Sequence, residues 1–380
     1  MAVPLKYNVR NLRVRATRTV LTVIGVALAL MIFIAVRAMA EGLKRAIVRT
    51  GSPDNIVLME PGPVATMEFG ALDREVLSVV PDFPFVKRAN GVPLVSPEAA
   101  AAVWVTRPGS GKDVWMTARG VQPIAFQVHD GVRVVQGQPP QSGGGVVVGK
   151  LVAAKLGDVR VGATLRFGTR DWQVVGIFDG GGTAFDSEIW ATLDDLLADL
   201  RRDQLSAVTL KVSEPAQVAD AVYELNTQSR VVVLAEPEVA YYATLSEQFR
   251  QIEILGVLIA IIMAIAAVFG GMNTMFTAVA GRVREIGVLK ALGFSRGSIQ
   301  SSFVFESLLI AVAGGLLGIL LGSAVHGRSA SAPTVAFTLT VTWRIVAEAV
   351  GLALLIGLAG GWAPARLAAR LRVVDAVRHV

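Results

Sequence analysis

Four long runs of uncharged residues constrain this chain more than any other feature. They cover residues 19–36, 254–281, 303–325 and 345–363, and a single glutamate interrupts each of the last two. A helix rises 1.5 Å per residue, so runs of this length cross most of a hydrocarbon core of about 30 Å. The sequence therefore predicts four membrane-spanning helices, with both termini on one side of the membrane.

The composition agrees with a membrane protein. Hydrophobic residues make up 53% of the 380 residues and charged residues 17%, whereas soluble domains carry about 25% charged residues. The chain contains no cysteine. This excludes disulfide frameworks, thiolate metal sites, cysteine nucleophiles and iron–sulfur clusters.

The distribution of lysine and arginine predicts the orientation. Basic residues in short segments beside spans are retained in the cytoplasm, whereas residues 41–250 hold 20 basic and 25 acidic residues. That long segment is therefore expected outside, and the basic pI reflects topology rather than nucleic-acid binding. The basic residues of the three segments expected in the cytoplasm are Lys6, Arg10, Arg13, Arg15, Arg18, Arg282, Arg284, Lys290, Arg296, Arg366, Arg370, Arg372 and Arg378.

The first span has one alternative interpretation, a cleaved signal peptide. Basic residues precede the apolar run, and residues 38–40 read Ala-Met-Ala, which imitates a cleavage site. The run is longer than a signal peptide needs, however, and Arg37 separates it from that site. Apolar periodicity also continues through Leu43 and Ile47. We therefore expect a cytoplasmic amphipathic N-terminus over residues 1–18, then one helix over residues 19–48 that emerges from the membrane.

Residues 49–237 are too many for a loop and predict a large α+β extracytoplasmic domain, in two lobes. Residues 238–253 become helical again and predict a stalk that leads into the second span and pairs with the extension of the first. Expected strands cover residues 55–59, 102–106, 114–120, 145–148, 164–167, 173–178, 207–212 and 230–234. Expected helices cover residues 73–80, 151–156, 193–200 and 216–227.

The sequence motifs that would indicate enzyme chemistry are incomplete or do not occur. Gly144-x4-Gly149-Lys150 resembles a phosphate-binding loop, but Leu151 replaces the Ser or Thr that would hold Mg²⁺. A strand followed by a short helix is the simpler interpretation. The three histidines are far apart in sequence, and no G-x-S-x-G nucleophile motif occurs. We expect no catalytic residue, cofactor or metal on this chain.

Two features of the spans call for explanation. Glu306 and Glu348 lie within predicted spans, near opposite ends of the membrane, where a charge marks either a functional site or a snorkelling or capping contact. Glycines recur at every fourth residue, a spacing that permits close helix packing within one chain or between two. These glycines are Gly314, Gly318 and Gly322 in the third span and Gly357 and Gly361 in the fourth.

A short amphipathic helix is expected between the second and third spans, within residues 282–302. Gly293 is suited to end this helix and Ser295 to cap the next one. The residues of interest are Arg282, Arg284, Glu285, Ile286, Gly287, Leu289, Lys290 and Gly293. Their pattern fits a surface helix and a docking helix for a cytoplasmic partner equally well.

Several motifs resemble the MacB/FtsX-type permease family of ABC transporters. They are GGMNTM at residues 270–275, RVREIGVLKALG at 282–293, FVFES at 303–307, GGLLG at 314–318 and PARLAARLRVVDAVR at 364–378. The stretches VVVGKLVAAKLG at residues 146–157 and VVGIF at 174–178 extend the resemblance to the outer segment.

The resemblance implies a permease dimer, of identical or different chains, bound to two cytoplasmic ATPase subunits in a bacterial inner membrane. Residues 282–293 would form the coupling helix on which the ATPase docks. Closure of the ATPases would then move the outer domains by mechanotransmission. Because only 18 residues precede the first span and the phosphate loop is unusable, we expect a separate ATPase polypeptide that carries ATP and Mg²⁺.

Two functions fit this interpretation. The first is a permease that exports or extracts a substrate, with a periplasmic adaptor as a candidate partner. The second is a regulator that uses the same movement to activate a cell-wall hydrolase or a sensor kinase. The remaining segments are expected to be an outer loop over residues 326–344 and a cytoplasmic tail over residues 364–380.

Overall fold

The computed structural model describes residues 16–62, 66–67, 70–109, 111–157, 159–331 and 335–371. Most of the expected N-terminal segment and the end of the expected tail, with Arg372 and Arg378, lie outside these ranges. The described chain divides into a membrane unit, within residues 16–41, 250–327 and 339–371, and an outer unit, within residues 42–249 and 328–338.

Eleven α-helices occur in the described residues. In chain order they are α1 (Ala16–Val48), α2 (Val76–Val79), α3 (Ala125–Val128), α4 (Lys150–Lys155), α5 (Leu193–Leu200), α6 (Val218–Thr227), α7 (Glu238–Gln248), α8 (Arg250–Ala280), α9 (Val283–Ala291), α10 (Arg296–Ser323) and α11 (Trp343–Arg370). Short 3₁₀ helices cover Val80–Asp82, Ala184–Ser187 and Pro215–Gln217.

Four of these helices, α1, α8, α10 and α11, are long and apolar enough to span a membrane. This confirms the four spans predicted from the uncharged runs. Helix α1 continues without a break from its span to Val48. Helix α7 ends before Phe249, and α8 begins at Arg250, so the helical segment before the second span has one interruption.

The outer unit is built on one mixed sheet of ten strands. The strands of the chain are β1 (Asn55–Met59), β2 (Arg88–Ala89), β3 (Val92–Pro93), β4 (Val95–Thr106), β5 (Asp113–Val121), β6 (Arg133–Gly137), β7 (Gly145–Gly149), β8 (Thr164–Phe167), β9 (Arg170–Asp179), β10 (Glu188–Thr192), β11 (Ala207–Lys211), β12 (Leu234–Pro237), β13 (Ser329–Ser331) and β14 (Ala336–Thr338). The α+β class expected for this segment is confirmed.

The order in the sheet is β12-β1-β11-β4-β5-β10-β7-β9-β6, with β8 paired to β4 and β9. Strand β4 pairs with β11 through its first residues and with β5 through the rest. One hydrophobic core draws residues from β1 at one end of the sheet and β9 near the other. The residues expected in two lobes thus share one long strand and one hydrophobic core.

The strand predictions differ from the structure at several places. The strand expected over residues 230–234 is Leu234–Pro237, and the one expected over residues 102–106 is β4, Val95–Thr106. Strands β2, β3, β6, β10, β13 and β14 were not predicted. Strand β10 is buried at four of its five positions and has no polar alternation. Periodicity therefore could not identify it.

The loop between α10 and α11 contains a small hairpin, β13–β14, that belongs to the outer unit. Phe337 is buried, and β14 lies beside α4 and the 3₁₀ helix Ala184–Ser187. The carbonyl of Thr338 lies against Gly42 of α1. The expected outer loop thus contributes side chains to the outer unit's packing.

The glycines expected in helix packing lie at close contacts within the membrane unit. A methyl group on Gly314 would lie 2.8 Å from the carbonyl oxygen of Val23, and on Gly318 2.7 Å from that of Ala27. The other three glycines, Gly322, Gly357 and Gly361, lie against Ile34, Ala311 and Ser307 respectively. Helices α10 and α1, and α10 and α11, approach this closely because these positions lack a side chain.

We predict that Gly318→Ala destabilises the protein by about 1–3 kcal/mol, because the added methyl group must displace the backbone of α1. The matched control is Gly351→Ala in α11, where no neighbouring atom of the described residues lies within 4 Å of the new methyl group. That change should be neutral, or stabilising by up to about 1 kcal/mol through helix propensity. Thermal unfolding of the two variants in the same detergent compares them. Equal midpoints would contradict the close contact.

Candidate functional site

The short helix α9 lies between the second and third membrane helices and has clear ends. Gly293 adopts φ 86°, a left-handed conformation that favours glycine, and its N–H donates to the carbonyl of Lys290 at 3.0 Å. Ser295 caps α10 by accepting the N–H of Ser298 at 3.2 Å. Both roles predicted from the sequence are confirmed.

A buried ion pair attaches the start of α9 to the third membrane helix. The two terminal nitrogens of Arg282 donate to the two carboxylate oxygens of Glu306 at 2.8 and 3.0 Å. Both side chains are almost fully buried. Glu306 is therefore the partner of a neighbouring guanidinium, which is how a charge is accommodated at this depth.

The other end of α9 is attached to the fourth membrane helix. The Lys290 ammonium donates to the carbonyl of Ala369 at 2.8 Å and also to that of Leu371. These carbonyls belong to the last turn and cap of α11, which lack partners within the helix. Ile286 packs between these two attachments, in a core that includes Phe303 and Ala365.

The structure therefore divides the residues singled out for docking. Arg282, Ile286 and Gly287 are buried against the membrane unit, so they do not form an outward surface. The exposed face carries Arg284 and Glu285 together with two apolar side chains, Val288 and Leu292, which are 52% and 67% exposed. Residues three or four positions apart share a helix face. This spacing places Val288 and Leu292 on one face with Arg284, but it does not show which face of the helix is buried.

A second cluster of charged side chains lies buried in the outer unit, and the sequence did not predict it. The Arg119 guanidinium donates two hydrogen bonds to Glu188, at 2.6 and 2.7 Å, and a third to Glu98 at 2.6 Å. These residues come from β5, β10 and β4, adjacent strands of the sheet. The pair of carboxylates holds the pKa of Arg119 well above its usual value, against the opposing effect of burial.

His129 and Glu238 complete this cluster. Nε2 of His129 lies 2.5 Å from Glu98, and Nδ1 lies 3.6 Å from Oε1 of Glu238. Burial disfavours the charged form of Glu98, but His129 and Arg119 outweigh it and lower the carboxyl pKa to about 2. Burial raises the pKa of Glu238.

A third group of charges lies near one end of the membrane helices. Arg37 of α1 donates to Glu253 of α8 at 2.5 Å and to Glu348 of α11 at 3.2 Å. All three side chains remain partly exposed. Glu348, the second carboxylate predicted within a span, is thus an ion-pair partner of Arg37. The Arg37 side chain connects three helices.

In the sequence that resembles a phosphate loop, the polar groups contact carboxylates of the protein. Strand β7 is followed by α4, the strand and short helix predicted as the simpler interpretation. The Lys150 ammonium pairs with Asp179 at 2.5 Å and lies 3.6 Å from Asp186. The N–H of Gly144 donates to Oδ2 of Asp195 at 3.2 Å. Lys150 and the first glycine amide of this sequence are therefore paired with carboxylates of the domain itself.

Comparison with known proteins gives two family models that together span most of the chain. The MacB-like periplasmic core domain matches residues 19–228, and the FtsX-like permease C-terminal model matches residues 257–373. These regions correspond to the first span with the outer unit, and to the last three spans with α9.

Individual relatives agree with these models. The macrolide export ATP-binding/permease protein MacB 1/2 of Paracoccus denitrificans is 27% identical over 405 residues, covering 100% of this chain and 59% of that protein. The chain thus spans about six tenths of that relative's length. The ABC transporter permease YknZ of Bacillus subtilis is 36% identical over 130 residues, or 33% of this chain and 32% of that protein.

Among solved structures, the periplasmic region of MacB from Actinobacillus actinomycetemcomitans is similar, with a TM-score of 0.40 and 12% identity. The match covers 52% of this chain and 95% of the chain of that MacB periplasmic region.

We predict that breaking the ion pair between Arg282 and Glu306 is costly. Arg282→Met or Glu306→Met alone leaves the other charge buried without its partner, a loss of about 3–5 kcal/mol. The double Met variant removes both charges and should be much less destabilised than the sum of the two single variants. Thermal unfolding of the wild type, the two single variants and the double variant in detergent measures this double-mutant cycle. Strictly additive losses would contradict the pair.

Proposed function

Because the chain belongs to the MacB/FtsX-type family of ABC transporter permeases, we propose that it couples a cytoplasmic ATPase to its extracytoplasmic domain. In this proposal the ATPase is a separate polypeptide that docks on α9. Its closure moves the membrane helices, and these transmit the movement to the α+β domain outside. The chain would then have no ATPase activity of its own.

The observation that carries this proposal is the attachment of α9. Its first turn is tied to α10 through Arg282 and Glu306, and its last turn is tied to α11 through Lys290. A helix held at both ends moves with the helices that hold it. Its outward face, which includes Arg284, Val288 and Leu292, combines charge with exposed apolar surface. A surface that combines exposed apolar side chains with charges is typical of a site that binds another protein.

In this proposal ATP and Mg²⁺ bind on the partner. The Gly-x4-Gly-Lys sequence of this chain is followed by Leu151, and its Lys150 is paired with Asp179, so this stretch does not form a phosphate loop. The MacB relative of Paracoccus denitrificans is named as an ATP-binding/permease protein, and this chain aligns with 59% of it.

Chain connectivity supports transmission outward. Helix α1 continues without interruption from its span to Val48, seven residues before β1 begins at Asn55. Helix α7 follows β12 and precedes α8, with only Phe249 between the two helices. Both connections from spans to outer domain are thus largely helical, and helices resist stretching and compression better than loops do.

We further propose that the protein lies in a bacterial inner membrane with both termini cytoplasmic, as the lysine and arginine distribution predicts. A second permease copy would complete the assembly, since two ATPase subunits need two docking helices. Transport of a substrate is the role we favour. A regulator that acts on a hydrolase or sensor would use the same coupling and would differ in its extracytoplasmic partner.

We predict that changing the exposed face of α9 weakens ATPase binding without unfolding the permease. Leu292→Asp removes apolar contact, and Arg284→Glu or Glu285→Lys reverses charge. Each should reduce ATPase co-purification at least about tenfold, the effect of losing about 1.4 kcal/mol of binding. Mass spectrometry of the detergent-solubilised complex, with thermal unfolding as a folding check, gives the measurement.

Val232→Asp is the matched control, because Val232 is 83% exposed in the outer unit. It should leave ATPase recovery unchanged. Gly293→Pro should also uncouple the ATPase, but for another reason. Proline cannot adopt φ 86° or donate the N–H that Gly293 uses, so this variant disrupts the end of the helix. Unchanged recovery in the three surface variants would contradict docking on α9. An adaptor recovered with the wild type would support transport, and a hydrolase would support regulation.

A further inference from the structure

Glu238 joins the two connecting segments of the outer unit. It is the first residue of α7, and its Oε2 accepts the N–H of Ser52 at 2.8 Å and the side-chain amide of Asn55 at 2.9 Å. Ser52 and Asn55 lie just after α1, at the start of β1. One carboxylate oxygen therefore holds the segment that leaves the first span to the segment that returns to the second.

The other oxygen of this carboxylate has no hydrogen-bond partner among the residues that the structure describes. Oε1 of Glu238 is buried and faces Nδ1 of His129 at 3.6 Å, and that nitrogen is also buried without a partner. Both residues are 2% exposed or less. Buried polar atoms without partners are costly, by about 1–3 kcal/mol each.

The protonation of Nε2 determines whether Nδ1 of a neutral His129 can donate or accept a hydrogen bond. Nε2 of His129 lies 2.5 Å from Oε1 of Glu98, and Oε2 of Glu98 accepts a hydrogen bond from Arg119. Since this carboxylate is ionised, Nε2 must carry a hydrogen. A neutral His129 then presents a lone pair at Nδ1, directly toward a lone pair of Glu238. Only a hydrogen between these two atoms turns the contact into an attraction.

We propose that His129 and Glu238 together form a buried binding site for one proton, and that this proton holds the two connecting segments together. With the proton bound, a small side-chain movement closes the 3.6 Å gap to a hydrogen bond. Without it, two lone pairs repel at the point where the segments meet. The site belongs to the outer unit and does not depend on the coupling proposed above.

The charges around the pair favour a bound proton. Glu98 and Glu188 face a single guanidinium, that of Arg119, and Glu238 adds a third carboxylate. The five groups carry net charge −2 when His129 is neutral and Glu238 ionised, and −1 when one proton is bound. Other ionisable groups nearby include Tyr242 of α7, whose pKa is raised well above its usual value by burial, and Lys211 of β11, which pairs with Asp54 and Asp130.

The direction of the pH dependence follows from both groups. Burial opposes protonation of His129, but the Glu98 carboxylate outweighs it, and the pKa of His129 is raised. Burial raises the pKa of Glu238. A group whose pKa is higher in the folded state stabilises that state at low pH and loses its contribution as pH rises through the folded value. The contact should therefore open as the pH outside the membrane rises.

Hydrogen exchange of the full-length protein in detergent tests this site. Peptides that contain Ser52 and Glu238 should show an opening equilibrium, corrected for intrinsic exchange, that increases with pH. The increase should approach tenfold per pH unit, because loss of one proton has this slope. Glu238→Gln should abolish the increase and retain low-pH protection at every pH. Its amide oxygen replaces Oε2, and its amide nitrogen donates to Nδ1 of His129.

Glu236→Gln is the matched control, two residues earlier in β12, and should keep the wild-type slope. A flat wild-type profile, or an unchanged slope in Glu238→Gln, would overturn the proposal. If that variant does not fold, the wild type still decides. The protein has three histidines, so selective ¹⁵N labelling resolves the imidazole of His129. The ¹⁵N chemical shift of Nδ1 should change together with the opening of the Ser52 segment, because the shared proton is either bound to Nδ1 or donated to it by Glu238. Opening of the segment without a change in the Nδ1 shift would overturn the proposal.

Discussion

Several charged side chains of the described residues are paired with a charge of opposite sign, and these pairings join parts of the chain that are distant in sequence. Arg282 and Glu306 join α9 to α10, Arg37 joins α1 to α8 and α11, and Arg119 joins three strands of the sheet. Desolvating an unpaired ion costs several kcal/mol. Movement of one partner without the other is therefore penalised at each of these places, which apolar contacts alone do not achieve.

Apolar packing in the membrane unit has a different role. Attraction between apolar side chains is non-directional, and lipid chains compete for the same surfaces. Close approach at Gly314, Gly318 and Gly361 strengthens contact between helices by bringing their backbones together. Those contacts set the distance between α10 and its neighbours. The directional bonds of Glu306 and Lys290 then define where α9 sits at the end of the helices.

The parts that the sequence predicts well are those governed by local rules. Uncharged runs identify the spans because a backbone in lipid must satisfy its own hydrogen bonds, and Gly293 and Ser295 mark helix ends through turn chemistry. The charge cluster of the outer unit could not be predicted in this way. Glu98, Arg119 and His129 are each separated by short strands or loops and resemble surface residues until the sheet order brings them together. The outward face of α9 was missed for a related reason, since the burial of Ile286 depends on α10 and α11.

These features give the proposed coupling a physical form. A partner pressing on Val288 and Leu292 would push a helix whose two ends are bound to different membrane helices, so the load would divide between α10 and α11. Neither Arg282 nor Lys290 needs to touch the partner to matter, since each determines which helix receives the force. In the outer unit, Glu238 holds together the segment that follows α1 and the segment that precedes α8. A movement that reached this contact would act on both segments at once, because one carboxylate binds them both.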